Sequence, residues 1–464
     1  MNTKEDDHMS VKEFETRSCW DVYASEADCL AMDELADRYM DFLSVNKTER
    51  EVVTWAVAML EKAGFISDPG TGRFLTVHRG KTLVAARRGR RPLSRGSRMV
   101  GSHADSPRLD LKQHPLYEDC DLALAKTHYY GGIRKYQWLA RPLALHGVAV
   151  KTDGRVVPVV VGEDERDPVL AIPDLLPHLA HKQVEKKLSE AFEAEKLNVV
   201  LGHVPLFLEG EDKKDGRFKK ALLELLRDRF GLEEEDLFSA ELEIVPAGPA
   251  RRVGLDRGLV GGYGQDDRIC GFTSLEAFVR ASDPEFTQIL ILWDKEEIGS
   301  EGATGAQSRI FEYAIQDLIE AWEPRASLRQ VMLNMKALSG DVHAAIDQDY
   351  QDLHDKLNAS YLGRGPVICK FTGHRGKYGA NDASAEYVGW FRNVLNVAGV
   401  PWQMAELGKV DLGGGGTVAK HLAVYGMDIV DFGPGVLSMH SPFEISSVAD
   451  LLATVRAYGA FFRS

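Results

Sequence analysis

The chain has 464 residues, 44% of them apolar, and carries 56 Lys and Arg against 70 Asp and Glu, a net charge of −14. That length allows about three units of roughly 150 residues, with apolar content enough for a large core. The acidic balance argues against nucleic acid or an anionic membrane as a partner, no apolar run approaches the roughly 18 residues of a membrane span, and five scattered cysteines without CxxC spacing exclude a disulfide scaffold.

The opening residues Met1–Ser10 lack the basic-then-apolar pattern of a secretory leader, so a cytoplasmic protein with reduced thiols is expected. Residues 1–30 show no clear period and read as a mobile arm or an oligomer contact. Helix grammar begins at Thr48. Thr48 and Glu51 form a capping box, Val52, Val53, Ala56, Met59 and Leu60 share one face, and Gly64 is a suitable stop. Short β-type runs at Phe74–Val77 and Thr82–Ala85 lead to an arginine-rich turn (Arg87, Arg88, Arg90, Arg91, Arg95, Arg98), expected to be a solvated hairpin tip. No aromatics interleave there, which weakens a nucleic-acid reading.

From 107 to 252 short β-type runs (Leu143–Val150, Val156–Val161, Asn198–Val204) alternate with charged stretches, and helical segments are expected near Val184–Ala194 and Lys219–Phe230. This stretch holds no obvious catalytic cluster and reads as an inserted β-rich domain with a structural or assembly role. From 253 onward strands alternate with helices. Ile289–Trp293, Val331–Leu338 and Asp428–Phe432 are apolar runs of strand length, and a Ser447-led helix carrying Val448, Leu451, Leu452, Val455 and Tyr458 closes the chain. The expected fold is α/β, with a mixed, largely parallel sheet flanked by helices and built from residues 1–106 and 253–464.

Sites in open α/β sheets gather beyond the C-terminal ends of the strands. There the sequence offers His103-Ala104-Asp105, the pair Asp266-Asp267, Glu296-Glu297 shortly after Leu-Ile-Leu-Trp, Asp341 followed by His343, and His440. A single histidine or an Asp-Asp helix cap is common without any ligand. Two adjacent carboxylates at a buried strand end, however, need cations or protons to offset them. Histidine and carboxylate without cysteine suits a catalytic zinc, cobalt or manganese centre. Asp105 could orient the His103 ring or merely cap a turn. Gly413–Gly416 should open a helix. Without a following Gly-Lys-Ser/Thr it is no phosphate loop, though free N–H groups there could hold a substrate oxygen.

Taken in order, His103-Ala104-Asp105-Ser106-Pro107, Asp266-Asp267, Glu296-Glu297-Ile298-Gly299-Ser300, Ser339-Gly340-Asp341-Val342 and Leu437-Ser438-Met439-His440-Ser441 resemble the metallopeptidase family of aspartyl aminopeptidase and vacuolar aminopeptidase I, in its bacterial branch. Gly101, Tyr130-Gly131-Gly132 and Gly147 strengthen the likeness, which spans nearly the whole chain.

The resemblance implies a zinc-exopeptidase fold interrupted by a dimerisation domain, which suits 107–252, and a dodecamer of tetrahedral symmetry enclosing its active sites. It implies two divalent ions per chain, most simply zinc, with His103 on one, His440 on the other, Asp266 bridging, and Glu297 and Asp341 completing the spheres. Glu296 would be the general base and Asp105 would orient His103. Lys377, in Gly376-Lys377-Tyr378-Gly379, and the backbone of Gly414 and Gly415 are candidate substrate contacts. Where aspartyl aminopeptidases carry a histidine reaching a neighbouring subunit's site, this chain has Tyr136, which leaves the acidic or neutral preference of the N-terminal residue open. The implied activity is removal of the N-terminal residue from peptides with a free N-terminus. The rivals are a related two-metal deacylase or carboxypeptidase, and a non-catalytic shell protein.

Overall fold

Along the strand Thr287–Trp293 the side chains alternate, as the pleat requires. Ile289, Ile291 and Trp293 enter one apolar layer and Leu290 and Leu292 another. Every residue of this strand is buried, as are those of its neighbour Ser97–His103. A strand buried on both faces needs a helix layer on each side. In the computed structural model, which describes residues 13–207 and 216–464, that is the arrangement found.

Helices Glu26–Val45, Glu49–Lys62, Gln265–Arg280, Ala385–Val397 and Val448–Arg463 cover one face, and Ile310–Trp322 with the shorter Leu328–Leu333 and Ala419–Leu422 cover the other. The sheet has eight strands, in the order Arg73–His78, Thr82–Arg87, Thr287–Trp293, Ser97–His103, Met335–Ser339, Asp428–Gly433, Val367–Cys369, Gln403–Met404. The central four run parallel, and antiparallel pairings join each flank to them. This is the mixed, centrally parallel α/β fold expected.

Between Arg108 and Pro246 the chain builds a second sheet of six strands, antiparallel throughout. It encloses its own apolar cluster around Trp138, Leu143, Val159, Val199 and Ile244. A third sheet pairs Arg251–Val253, Leu259–Gly262, Glu444–Ser447, Gly435–Leu437 and His343–Ala344.

The Thr48 capping box forms as read, with the Thr48 hydroxyl accepting from the Glu51 N–H and Glu51 accepting from the Thr48 N–H. The expected arm at 1–30 is corrected in part. Residues 1–12 lie outside the described residues, but Glu26 begins a 20-residue helix whose Met32, Leu35, Ala36, Tyr39, Phe42 and Leu43 are buried. Acidic residues interrupt its apolar spacing, so the helical period is faint in sequence. Tertiary packing of Phe42 against Trp55 and Phe272 supplies what propensity does not.

The arginine-rich segment is not a solvated hairpin tip, because Thr287–Trp293 lies between the strands on either side of it. Arg87 is buried, donating to the carbonyl of Phe278 and to Gln288, and Arg98 stacks on Phe286 and Trp390. The helix expected over 184–194 breaks into single turns, His181–Val184 and Leu188–Ala191, since Val184 and Leu188 are exposed and bury no face. Val331 belongs to the helix Leu328–Leu333, and the strand starts only at Met335.

The second sheet meets the helical layer through buried charge. His146, on the strand Leu143–Val150, has Nδ1 2.8 Å from Glu51 and Nε2 3.0 Å from Glu163, and Glu163 also lies 3.9 Å from Lys47. Burial pulls the His146 imidazole down, but the two carboxylates outweigh it and hold its pKa above the ordinary value of 6.5. A raised imidazole contributes stability that is complete below about pH 6.5 and is lost as pH climbs through the folded-state value. His146→Gln should therefore lower stability by about 1.5–3 kcal/mol near pH 6. In paired thermal melts the gap should narrow steadily toward alkaline pH, and a gap independent of pH would contradict the charged pairing.

Candidate metal centre

Three of the central parallel strands deliver their C-terminal ends to one place. His103 is the last residue of its strand, level with Trp293 on the neighbour. Glu296 and Glu297 follow Trp293 through Lys295 at φ 68°, and Asp341 follows Ser339 by two residues. His440 lies beyond Gly435–Leu437 at φ 64°, with Ser438 at φ 56°. Two non-glycine residues in the left-handed region so close together are costly and persist only where surrounding contacts enforce them. One such contact is Glu444, which accepts from the His440 N–H at 2.7 Å.

Asp266 enters from the opposite direction, at the start of the helix Gln265–Arg280. Gly264 precedes it at φ +71°, where a Cβ would fall 1.5 Å from the Arg268 guanidinium, so only glycine fits that turn. The peptide joining Asp266 to Asp267 is cis. Glu444 also accepts from the Asp266 N–H at 3.2 Å, tying the helix start to the His440 loop.

The side chains converge. Asp266 turns one carboxylate oxygen to His103 Nε2 at 3.2 Å and the other to His440 Nε2 at 3.1 Å, and His440 Nε2 lies 3.5 Å from Glu297. Two groups follow, His103–Asp266–Asp341 and Asp266–Glu297–His440, and within each the potential ligand atoms all lie within 4.8 Å of one another. The Oε1 of Glu297 is buried without a hydrogen-bond partner, as is Oδ1 of Asp267.

Asp105 stands behind this array. Its backbone carbonyl is 3.0 Å from His103 Nδ1, and its carboxylate, 3.4 Å from the same nitrogen, accepts from the Tyr130 hydroxyl and from the N–H groups of Glu296 and Glu297. Asp105 thus does more than cap a turn.

The electrostatics show what the cluster lacks. Burial, then the nearby carboxylates of Asp105 and Asp266, pushes Glu296 up to about 7. Burial and Asp266 push Glu297 well above the carboxylate range, and burial with Asp266 and Asp267 does the same to Asp341. Burial also opposes the charge on Asp266, yet the hydrogen bonds from His103 and His440 overcome it and hold this carboxyl low. So many buried carboxylates are stable together only when protons or cations neutralise them. Imidazole and carboxylate oxygens at this spacing fit a divalent cation such as zinc.

The cluster lines a cleft of about 480 Å³ that also takes in Gly132, Gly414, Gly415, Lys420 and Asp431. Gly414 and Gly415 do not open a helix. They form a two-residue strand against Gly373–His374, where a Cβ on Gly414 would meet the Gly373 carbonyl at 2.3 Å, and the next helix begins at Ala419. Lys377 is not among the cleft-lining residues. It pairs with Asp382 at 3.0 Å and lines an adjoining groove with Gly414. Tyr136 is half-exposed near Phe192, also away from the cleft lining.

Sequence reasoning assigned no role to Glu444, Tyr130, Lys420 or Asp431. Glu444 starts a strand just past the Leu437–Ser441 motif, and the sequence gives no sign that its carboxylate folds back to the N–H of His440 and across to that of Asp266. The tract Tyr130-Gly131-Gly132 was visible, but its contacts were not.

Residues 42–462 match the family described as Aminopeptidase I zinc metalloprotease (M18). A probable M18 family aminopeptidase 1 of Clostridium acetobutylicum is 48% identical over 462 residues, covering 97% of this chain and 98% of that one, and its counterpart in Thermotoga maritima is 47% identical over 92% of this chain and 95% of its own length. The crystal structure of aminopeptidase I from Clostridium acetobutylicum superposes with a TM-score of 0.92 at 46% identity, over 98% of this chain and 100% of that chain. For the M18 aminopeptidase from Thermotoga maritima the TM-score is 0.91 at 45% identity, over 97% of this chain and 100% of that chain. A solved dodecamer of mApe1 from Saccharomyces cerevisiae, at 21% identity and a TM-score of 0.76, shares the fold over 93% of this chain and 97% of its own. With these histidines and carboxylates gathered at the strand ends, the chain belongs to the M18 family of zinc aminopeptidases.

Proposed function

We propose that His103, Asp266 and Asp341 hold one divalent ion, that Asp266, Glu297 and His440 hold a second, and that Glu296 is the general base. The observation that carries this is the sharing of Asp266 between the two three-residue groups. When bound, two such ions polarise a scissile carbonyl and lower the pKa of a water. The protein's own part is positional. Asp266 sets the distance between the two halves of the centre, and Asp105 holds the His103 ring so that Nε2 faces inward. Glu296 belongs to neither group but lines the same cleft, free to take the proton of the attacking water and return it to the leaving amine.

The excess of carboxylates suits a substrate's free α-amine and disfavours the terminal carboxylate that a carboxypeptidase must grip. Backbone of Gly414 and Gly415 contacts the substrate chain, and Lys377 contacts its side chains from the adjoining groove. Zinc is the expected metal, with cobalt or manganese as substitutes.

Exposed Val156, Val169, Leu179 and Val184, all between 107 and 252, support self-association of that stretch with a second copy and, through such dimers, a tetrahedral dodecamer. No helix among the described residues is long and apolar enough to cross a membrane. A cytoplasmic setting follows from the reduced thiols expected of the sequence.

Glu296→Gln should retain the metals by elemental analysis while the turnover number falls by about 10²–10⁴-fold. Full activity with metal bound would reject Glu296 as the base. Asp266→Ala should lose activity together with at least one metal, and two ions still bound per chain would disprove the sharing. On a panel of amino-acid amides, those with free amines should be cleaved and their N-blocked counterparts left intact, with chelator abolishing cleavage. Turnover of blocked substrates would favour a deacylase instead.

A further inference from the structure

Tyr130 ends the strand Leu122–Tyr130 of the second sheet, far in sequence from most of the centre, yet its hydroxyl donates to Asp105 at 2.8 Å. Asp105 is buried and reaches His103, so this hydroxyl bears on the His103 half of the centre. Two residues on, the carbonyl of Gly132 lies 2.9 Å from His440 Nδ1. A carbonyl can only accept, so Nδ1 carries a hydrogen, and Nε2, which faces Asp266 and Glu297, is the nitrogen that a cation displacing its proton would bind. Between them Gly131, at φ +72°, turns the backbone so tightly that a Cβ there would sit 3.3 Å from both Cβ and Oε2 of Glu297.

The other end of the Tyr130 side chain is also fixed. The Arg108 guanidinium lies 3.9 Å from the ring centroid, and Arg108 is itself held by Glu49 at 3.2 Å and Glu243 at 3.1 Å. These partners come from the helical layer and the second sheet, so the ring is held where both units meet.

We infer that Tyr130-Gly131-Gly132 is a positioning clamp on both halves of the metal centre, with the Tyr130 hydroxyl orienting His103 through Asp105 and the Gly132 carbonyl orienting His440. The inference rests on the ligand assignment proposed above. Through the clamp the placement of the second sheet sets metal affinity, although the proposed ligands all lie outside that sheet. Partners that orient a ligating imidazole typically change metal affinity by about 10–100-fold when removed.

Metal-free protein titrated with zinc against a chromophoric chelator tests this without any assay of activity. Wild type should show two tight sites. Tyr130→Phe should weaken by about 10–100-fold the site that His103→Ala abolishes, with the other site unchanged. Gly132→Ala adds a Cβ only 3.2 Å from His440 Nδ1 and should weaken the site that His440→Ala abolishes. Adding Tyr130→Phe to Asp105→Asn should cost nothing further, since the hydroxyl acts through that carboxylate. Wild-type affinities in Tyr130→Phe, or equal weakening of both sites with a lowered melting temperature, would overturn the clamp. A wild-type protein that binds no zinc would overturn the ligand assignment itself, and the clamp with it, and is told apart because the variants then have nothing to lose.

Discussion

Asp266 offers one oxygen to an imidazole that ends a central strand and the other to an imidazole carried by a strained loop. A carboxylate can serve two partners in this way only if its backbone is fixed from behind, and three features fix it. Gly264 permits the turn into the helix, Glu444 binds the N–H of Asp266 and of His440 together, and the helix that follows is buried along most of its length. The buried helix Val448–Arg463 packs against that helix, so its seat belongs to the core of the domain. Core packing therefore sets the geometry of the centre more than the cleft surface does.

The same logic explains how unfavourable charge is tolerated. Glu296, Glu297 and Asp341 are each pushed toward the neutral form by burial and by the Asp266 carboxylate, while His103 and His440 are held toward the charged form by the carboxylates they face. Such a cluster is a poor way to stabilise a fold and a good way to attract divalent cations. Away from the centre buried charge meets opposite charge, as Glu49 meets Lys81 at 3.0 Å and Arg108 at 3.2 Å.

Much of this was legible in the sequence because the pleat and the strand ends leave marks. Leu-Ile-Leu-Trp before Glu296-Glu297, and the apolar run Asp428–Phe432, announced strands of the sheet, and the chemistry was sought beyond them. What could not be read follows from tertiary contact. The helix Glu26–Val45 has too mixed a face to show its period, and its burial depends on Trp55 and Phe272. Arg87 and Arg98 looked solvated because arginine usually is, but stacking on aromatic rings and a strand inserted beside them bury both. Gly414 and Gly415 read as a helix start because glycine runs often precede one, whereas here the missing side chains admit another backbone. Glu444 had no local signal, since its value lies wholly in what stands above it.

The six-stranded sheet begins at Arg108, five residues after His103, and ends at Pro246, with the third sheet's Arg251–Val253 and Leu259–Gly262 on the path back to Asp266. The outgoing seam therefore falls beside a residue of the centre, with few bonds of slack at that junction. A graft from a distant relative, or a tag spliced at this joint, would shift His103 against the rest of the centre even if every ligand were retained. Lengthening is far safer at the outer turns, such as Asp153-Gly154 between Val150 and Val156, where the chain is exposed.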